Sequence, residues 1–227
     1  MILANGTIVA TVRPNFPWNV VHTETRNNRR IWRTDRPVPL NYSTPMDWHH
    51  MVPWNALRDG WSALASSGRW ETITPWLVLL GVDDVATRVD EMTNNNLAMP
   101  HTQAIWEKLC WAKWNLVEGP NNTYRTDDPG GDAVDSFGGI NMTSSLRARS
   151  AAASSVYNKI GNWLPTLATL TADDTKNLKK EFADLKTYKN TPIHMFDAKT
   201  WVLESEGRID RFGLAVNNNH PTWKKNV

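Results

Sequence analysis

Tryptophan content constrains the fold of this chain more than any other feature, because 13 of its 227 residues are tryptophans. Each indole has a large apolar surface and a single N–H group that needs a hydrogen-bond partner when it is buried. Trp54, Leu57 and Trp61 recur at helical spacing, which favours a core packed with indoles. The alternative interpretation is that some of the indoles line a groove and stack on bases or sugars.

The remaining composition is that of a globular chain. Hydrophobic residues make up 41% and charged residues 21%, which excludes wholesale disorder. The formal net charge is only +2, so attraction to nucleic acid requires a local basic patch. The single cysteine, Cys110, excludes an internal disulfide and a cysteine-based zinc motif. No apolar run approaches the ~20 residues of a membrane helix, so we expect no membrane partner.

The location that these features predict is cytoplasmic by default. The first residues lack a charged region followed by an apolar stretch, which is the pattern of a secretory signal. If the protein acts outside the cell that made it, a dedicated secretion system has to export it.

Hydrophobic periodicity predicts an α+β chain that is predominantly helical and forms a single domain over residues 1–227. We expect an extended N-terminal arm over 1–46, a central core over 47–140, and a helical and C-terminal extension over 141–227. Predicted helices cover 53–67, 71–81 (interrupted at Pro75), 83–93, 101–114, 143–163 (capped by Thr143) and 172–187 (capped by Thr171). Predicted strands or extended pieces cover 8–12, 97–100, 115–117 and 200–203.

Adjacent histidines provide the strongest local signal for chemistry, in the run Asp-Trp-His-His-Met-Val-Pro at 47–53. Neighbouring residues on a strand point to opposite faces. One imidazole can therefore bind a metal ion while the other faces a substrate, provided that the strand bends into a turn, which Pro53 assists. Cleavage of a phosphodiester needs such a division, because a divalent cation neutralises the phosphate while an imidazole activates water.

The segment His49-His-Met-Val-Pro53, with a later Asn-Leu-hydrophobic strand, resembles the HNH, or ββα-metal, nuclease superfamily. More narrowly it is similar to the His-His toxin-like branch, in which HHxVP replaces DHxxP. The resemblance covers about residues 42–140. It implies a ββα-metal-like core with added helices, in which His49 binds the metal and His50 is the general base. It also implies that an Asn by the second strand holds the base or the loop, and that a further His completes the metal site.

The same resemblance implies a metal-dependent endonuclease. Its cofactor would be a divalent metal such as Mg, Mn, Ni or Zn, and its substrate DNA or RNA. A bacterial toxin or effector of this kind implies an inhibitor or immunity protein as a further partner.

The second half of the motif admits two alignments. In the first, residues 97–100 form the second strand, Asn96 is the family Asn, and His101 begins the following helix as a metal ligand. In the second, residues 114–120 form the strand and Asn115 is the family Asn. We favour the second alignment, because the Asn-Leu-Val run is followed closely by an acidic loop.

In the family, the further His of the metal site lies on the helix after the second strand. The second alignment leaves this histidine without a counterpart. Side chains of the following loop must then substitute for it, and the candidates are Arg125, Asp127, Asp128 and Asp132. Carboxylates suit Mg²⁺, Mn²⁺ or Ca²⁺, so Asp127 and Asp128 are the predicted metal ligands. The other interpretation of this loop is plain turn chemistry, since Asp, Pro and Gly are common turn residues.

An arginine cluster in the N-terminal arm is the candidate nucleic-acid surface. Arg29, Arg30 and Arg33 could bind phosphates bidentately while Trp32 stacks a base, and Arg125 would add to the surface. The other account is a solvated face whose arginine stems cover tryptophans.

A second function class fits the incomplete motif. It is a non-catalytic binding or interaction protein, or a repurposed enzyme, on a decayed HNH-like scaffold with a tryptophan-rich ligand surface. Metal binding above background would favour the nuclease, and tight binding of an aromatic-stacking ligand or a protein would favour the alternative.

Overall fold

A computed structural model describes residues 2–14, 30–32, 37–39, 46–131, 133–139, 142–163, 171–188, 201–205 and 222–226. The helices in these ranges are α1 (Trp54–Ser66), α2 (Trp70–Leu79), α3 (Val85–Thr93), α4 (Met99–Cys110), α5 (Ser144–Trp163) and α6 (Ala172–Lys186). The strands form three antiparallel pairs: β1 (Arg30–Trp32) with β2 (Pro37–Pro39), β3 (Met46–His50) with β4 (Leu116–Pro120), and β5 (Trp201–Ser205) with β6 (Thr222–Lys225). The predicted α+β class is confirmed.

Helix α1 follows directly from the predicted pattern. Pro53 precedes it with φ −54°, a value that suits the start of a helix. Its predicted inner face is buried at Leu57, Trp61 and Leu64. A Cβ on Gly60 would lie 2.4 Å from Cγ2 of Ile160 in α5. The close approach of α1 and α5 therefore depends on this glycine.

The predicted break at Pro75 and two predicted strands are wrong. Helix α2 runs through Pro75 without a break, because its buried side chains pack on the core despite the missing N–H group. Residues 97–100 are not a strand, since Pro100 lies in the first turn of α4, where proline is favourable. Residues 8–12 form no strand, and Ile8 makes only an isolated bridge to Ile2.

Other boundaries are close to the prediction. Thr143 precedes α5 and its Oγ1 accepts a hydrogen bond of 3.3 Å from the backbone N–H of Leu146, as a cap does. Helix α6 begins directly after Thr171. Helix α4 ends at Cys110, earlier than predicted, and a 3₁₀ turn at Lys113–Asn115 leads into β4.

Tryptophans fill the hydrophobic core of the described residues. Trp61 and Trp76 meet edge to face, with ring centroids 5.5 Å apart. The indole N–H of Trp61 donates to the carbonyl of Gly6 over 2.8 Å. The core interpretation of the indoles is confirmed for those that the structure buries, which are Trp48, Trp54, Trp61, Trp76, Trp114, Trp201 and Trp223. Among the helices that the structure describes, none has the length and apolar character needed to cross a membrane.

Candidate functional site

Asn115 fixes the turn that follows the histidine pair. Its side-chain oxygen accepts from the backbone N–H of Val52 over 2.7 Å, and its amide donates to the Val52 carbonyl over 2.8 Å. Its backbone carbonyl accepts from the N–H of Met51 over 2.9 Å. Asn115 is fully buried, so these bonds join the end of β3 to the start of β4. The second alignment assigned this residue the task of holding the loop, and the hydrogen bonds agree with that task.

His50 ends β3 with an oriented imidazole. Its Nε2 lies 2.7 Å from the carbonyl oxygen of Cys110, and a carbonyl only accepts, so the Nε2–H donates. The lone pair of the neutral ring is therefore on Nδ1. Burial and the charge of Arg13 lower the pKa of His50 to about 4. At neutral pH the ring is uncharged and Nδ1 can accept a proton.

A polar cleft of about 130 Å³ lies beside His50. It is bordered by the N-terminal segment, by β3 and by the loop after β4. Its lining includes a guanidinium, two imidazoles and three carboxylates, from Arg13, Asp47, His49, His50, Asp128 and Asp135. Acid–base groups and a cation thus line one small space, an arrangement that can bind an anion and transfer a proton.

His49 lies next in the chain but has a different environment. It is buried, and its Nε2–H donates to the carbonyl of Pro120 over 2.7 Å. Its Nδ1 accepts from Nη1 of Arg125 over 3.0 Å. Burial, followed by the charge of Arg125, lowers the pKa of His49. Both ring nitrogens are engaged, so this arrangement offers a metal ion no free lone pair on His49.

Arg125 is predicted to bind nucleic acid, but its side chain is fully buried at 0% exposure. Its guanidinium donates to both carboxylate oxygens of Asp135 over 2.7 Å each, and its Nε donates to Asp127 over 2.9 Å. These bonds, against the cost of burial, raise the pKa of Arg125. The guanidinium joins His49 on β3 to Asp135 on the loop after β4. It is not available to a phosphate in solution.

The two predicted carboxylate ligands are divided by the structure. Asp128 lines the cleft, and one of its oxygens accepts from the N–H of Gly130 over 2.8 Å. Both oxygens of Asp127 are engaged, one by Arg125 and the other by the backbone N–H of Lys225 over 2.9 Å. Asp128 therefore lies with the histidine pair at the cleft, whereas Asp127 binds the buried guanidinium of Arg125 and does not line the cleft. Asp132 lies outside the described residues.

Residues of the first alignment lie elsewhere. His101 is at the start of α4, bonded to Arg88 and 3.5 Å from a carboxylate oxygen of Glu91 on α3. Asn96 is exposed, and its backbone N–H donates to the carbonyl of Glu91 over 2.8 Å. Neither lines the cleft, so the fold does not join them to the histidine pair.

The arginine cluster of the N-terminal arm lies mostly outside the described residues. Arg29 and Arg33 lie outside the described residues. Arg30 and Trp32 lie on β1, and their side chains are also outside what is described. Their predicted contact with nucleic acid stays a prediction.

The implied metal fits only part of this donor set. Within the described ranges, no group of three or more His, Cys, Asp or Glu side chains is arranged to hold a metal ion. At the cleft, Asp47 and Asp128 each engage one oxygen with a backbone N–H, that of Trp48 and that of Gly130. Two carboxylates suit a hydrated Mg²⁺ or Mn²⁺ ion that a substrate phosphate also binds. They do not suit an ion anchored on His49.

Sequence reasoning missed Arg13, Asp135 and Lys225. Nζ of Lys225 lies 2.7 Å from Oδ1 of Asp135, which brings the last described strand to the site. Burial would raise the pKa of Asp135, but the bonds and charges of Arg125 and Lys225 outweigh it and lower that pKa. The acidic loop was a signal for Asp135, whereas nothing in the local sequence distinguishes Arg13 from other arginines.

Comparison of the chain with protein-family models, with curated proteins and with solved structures finds no match.

Proposed function

We propose that this chain is an endonuclease that cleaves the phosphodiester bonds of nucleic acid, with His50 as its general base. One observation carries the proposal. His50 donates its Nε2–H to the Cys110 carbonyl over 2.7 Å and so has its lone pair on Nδ1. It lines a cleft that also contains the cationic side chain of Arg13 and the carboxylates of Asp47 and Asp128.

In the proposed reaction His50 removes a proton from a water molecule as that water attacks phosphorus. The lowered pKa of His50, about 4, keeps the imidazole in its basic form at neutral pH. Proton removal by a positioned imidazole contributes roughly 10²–10⁴-fold to a rate. Arg13 is exposed and lines the cleft, so its guanidinium is placed to bind the anionic phosphate.

We further propose that the reaction depends on a divalent cation. Asp47 and Asp128 would hold it at the cleft together with the phosphate, and it would supply stabilisation of the charge that develops on the leaving oxygen. Hard cations of this kind commonly bind through one or two carboxylates plus substrate phosphate.

We also propose that the chain has a ββα-metal-like core and acts as a toxin or effector. The antiparallel pairing of β3 with β4 and the Asn115 hydrogen bonds support a ββα-metal-like core. A toxin or effector built on it would need an inhibitor or immunity protein that covers the cleft, and export by a dedicated secretion system if it acts on other cells.

Degradation of plasmid DNA and of RNA by the purified protein tests this function, with Mg²⁺, Mn²⁺, Ni²⁺ or Zn²⁺ and with a chelator. We expect cleavage with added cation, and a loss of at least 100-fold in His50→Gln. The matched control is His101→Gln, which changes a histidine away from the cleft and should cleave like the wild type. A folded His50→Gln variant with wild-type activity contradicts the proposal.

A non-catalytic nucleic-acid-binding protein is the second candidate, and the engaged lone pair of His49 favours it. It predicts that folded wild type binds nucleic acid without cutting it under any of these conditions. Binding is then expected to weaken in Arg13→Gln and to persist in His50→Gln.

A further inference from the structure

We infer that a groove between α2 and α6 binds a small amphipathic anion of the alkyl carboxylate type. The apolar part of the ligand would lie against the two helices and its carboxylate against a lysine of α6. The groove and the cleft beside His50 share no lining residue among those that the structure describes. The inference therefore goes beyond the proposed endonuclease and does not depend on it.

The groove has the size of a site for a small molecule. Its volume is about 480 Å³, and sites for small ligands occupy roughly 300–1,000 Å³. Side chains between residues 71 and 79 line it on α2, and side chains between residues 179 and 186 line it on α6. At about 1.5 Å per residue, these stretches are roughly 10–12 Å long. They are too short for a specific protein interface, which takes about 20–30 residues from each partner.

Apolar side chains make up most of the lining, and they are those of Pro75, Val78, Leu79, Phe182 and Ala183. Leu79 and Phe182 are buried, whereas Ala183 is exposed. Ala183 also has the smallest side chain of the lining, which leaves room between the helices. Covering this apolar surface removes it from water, which is favourable. The ligand therefore needs an apolar part.

Two lysines give the groove positive charge. Lys179 and Lys186 line it, and both are exposed. Within the described ranges neither forms an ion pair, whereas Lys180 on the same helix pairs with Asp184 over 2.8 Å. The ammonium groups of Lys179 and Lys186 therefore have N–H donors available for an anion.

Glu71 is the one carboxylate among the described lining residues, and it lies on the opposite wall. Its Oε1 is 4.0 Å from Nη1 of Arg69, so part of its charge is balanced on the α2 side. The two cations on the α6 side have no such balance, and we expect the headgroup of the ligand there. Lys179 and Lys186 are separated by roughly 10 Å along the helix. A single headgroup therefore pairs with one lysine at a time, which favours a monoanion.

Calorimetric titration of the full chain with octanoate, below its micelle concentration, tests the inference. We expect saturable binding of one octanoate per chain. 1-Octanol has the same apolar chain without the charge and should bind about two- to fivefold more weakly, the loss of one exposed ion pair. Acetate has the charge without the chain and should bind more weakly by about 100-fold or more.

Two variants locate the binding site. Ala183→Phe fills the groove from an exposed position and should weaken octanoate binding by about tenfold or more. The double variant Lys179→Gln, Lys186→Gln removes both cations and should weaken it about two- to tenfold. The matched control is Lys180→Gln, which removes a lysine of α6 that does not line the groove and should bind like the wild type. Circular dichroism verifies that each variant is folded.

Three results would overturn the inference. The first is the absence of saturable octanoate binding to folded wild type. The second is binding that neither Ala183→Phe nor the double lysine variant weakens, because the ligand would then lie elsewhere. The third is a wild-type dimer, seen by analytical ultracentrifugation, that Ala183→Phe dissociates, since a second copy of the chain would then occupy the groove. Absence of cleavage by the wild type would count against the proposed endonuclease and leave these results unaffected.

Discussion

The two histidines at the end of β3 have different surroundings, although they are neighbours in the chain and both line the same cleft. On the His49 side, a buried guanidinium and two aspartates form a closed network. On the His50 side, the imidazole borders a polar cleft of about 130 Å³. In both rings a backbone carbonyl accepts the Nε2–H. The rings differ at Nδ1, which accepts from Arg125 in His49 and has no hydrogen-bond partner among the described residues in His50.

This comparison shows how one His-His pair can support two tasks. Strand alternation separates the side chains, and the surroundings then decide their chemistry. Arg125 engages the lone pair of His49, and that engagement gives His49 a structural task. No described residue donates a hydrogen bond to Nδ1 of His50, so its lone pair is available to accept a proton.

The largest loss of stability is expected when the buried guanidinium of Arg125 is removed. Arg125→Met should lower the free energy of unfolding by about 3–5 kcal/mol, because it leaves two carboxylates without their buried cation. The matched change on the cleft side, Arg13→Met, should alter it by only about 0.5 kcal/mol, since that side chain is exposed. Urea unfolding of the variants beside wild type measures both. Equal losses would contradict the contrast between the two sides.

A somewhat smaller loss of stability is expected when the side chain that fixes the turn after His50 is removed. Asn115→Ala should cost roughly 2–4 kcal/mol, because it leaves the N–H and the carbonyl of Val52 buried without partners. Cleavage should fall as well, since the turn after His50 loses its anchor. A control at the exposed Asn96, Asn96→Ala, should change neither property. A stable Asn115→Ala protein would show that the β3–β4 pair is held by other contacts.

Acid should destabilise the protein by protonating the two histidines. The pKa of His50 is lowered to about 4 and that of His49 is also lowered, so the unfolded chain binds more protons between the ordinary pKa and the folded one. Stability is then complete above about pH 6.5 and falls as the pH decreases towards 4. Between about pH 6.5 and pH 4, His50→Gln should lose up to about 3 kcal/mol less stability than wild type. Urea unfolding at a series of pH values measures this difference. An unchanged pH dependence of stability would contradict the neutral state of His50.

The smallest expected effect comes from the packing behind His49. Gly119→Ala should cost about 1–3 kcal/mol, because its Cβ would collide with Trp201 and lie 3.0 Å from Cδ2 of His49. Gly131→Ala is the control, since a Cβ there meets nothing within 4 Å. Thermal unfolding compares the two. A loss no larger than that of the control would mean that Trp201 moves freely, and that Arg125 is not fixed by it.

Local patterns predicted much of this fold. Helical spacing of Trp54, Leu57 and Trp61 and the position of Pro53 gave α1 its correct start and buried face. Thr143 marked the beginning of α5. The strand after Asn115 was also predicted, and its pairing with β3 places Asn115 beside the turn. Each of these depends on residues close together in sequence.

The site was harder to predict, because its parts come from distant segments. Only the tertiary fold places Arg13 and Asp135 at the cleft beside β3 and Lys225 against Asp135. Arg125 looked like a surface residue, because no sequence pattern distinguishes a guanidinium that binds phosphate from one that neutralises buried aspartates. His101 looked like a metal ligand by its order in the chain, and α3 rather than the cleft supplies its partners.

One measurement tests the division between the histidines most directly: long-range ¹H–¹⁵N spectra of the imidazoles in the wild-type protein, recorded across pH. We expect Nε2 of His50 to carry the proton at neutral pH and Nδ1 to become protonated only near pH 4. For His49 we expect a neutral ring with its proton on Nε2 and a lowered pKa. An ordinary titration of His50 near pH 6.5, or a proton on its Nδ1, would contradict its assignment as the base.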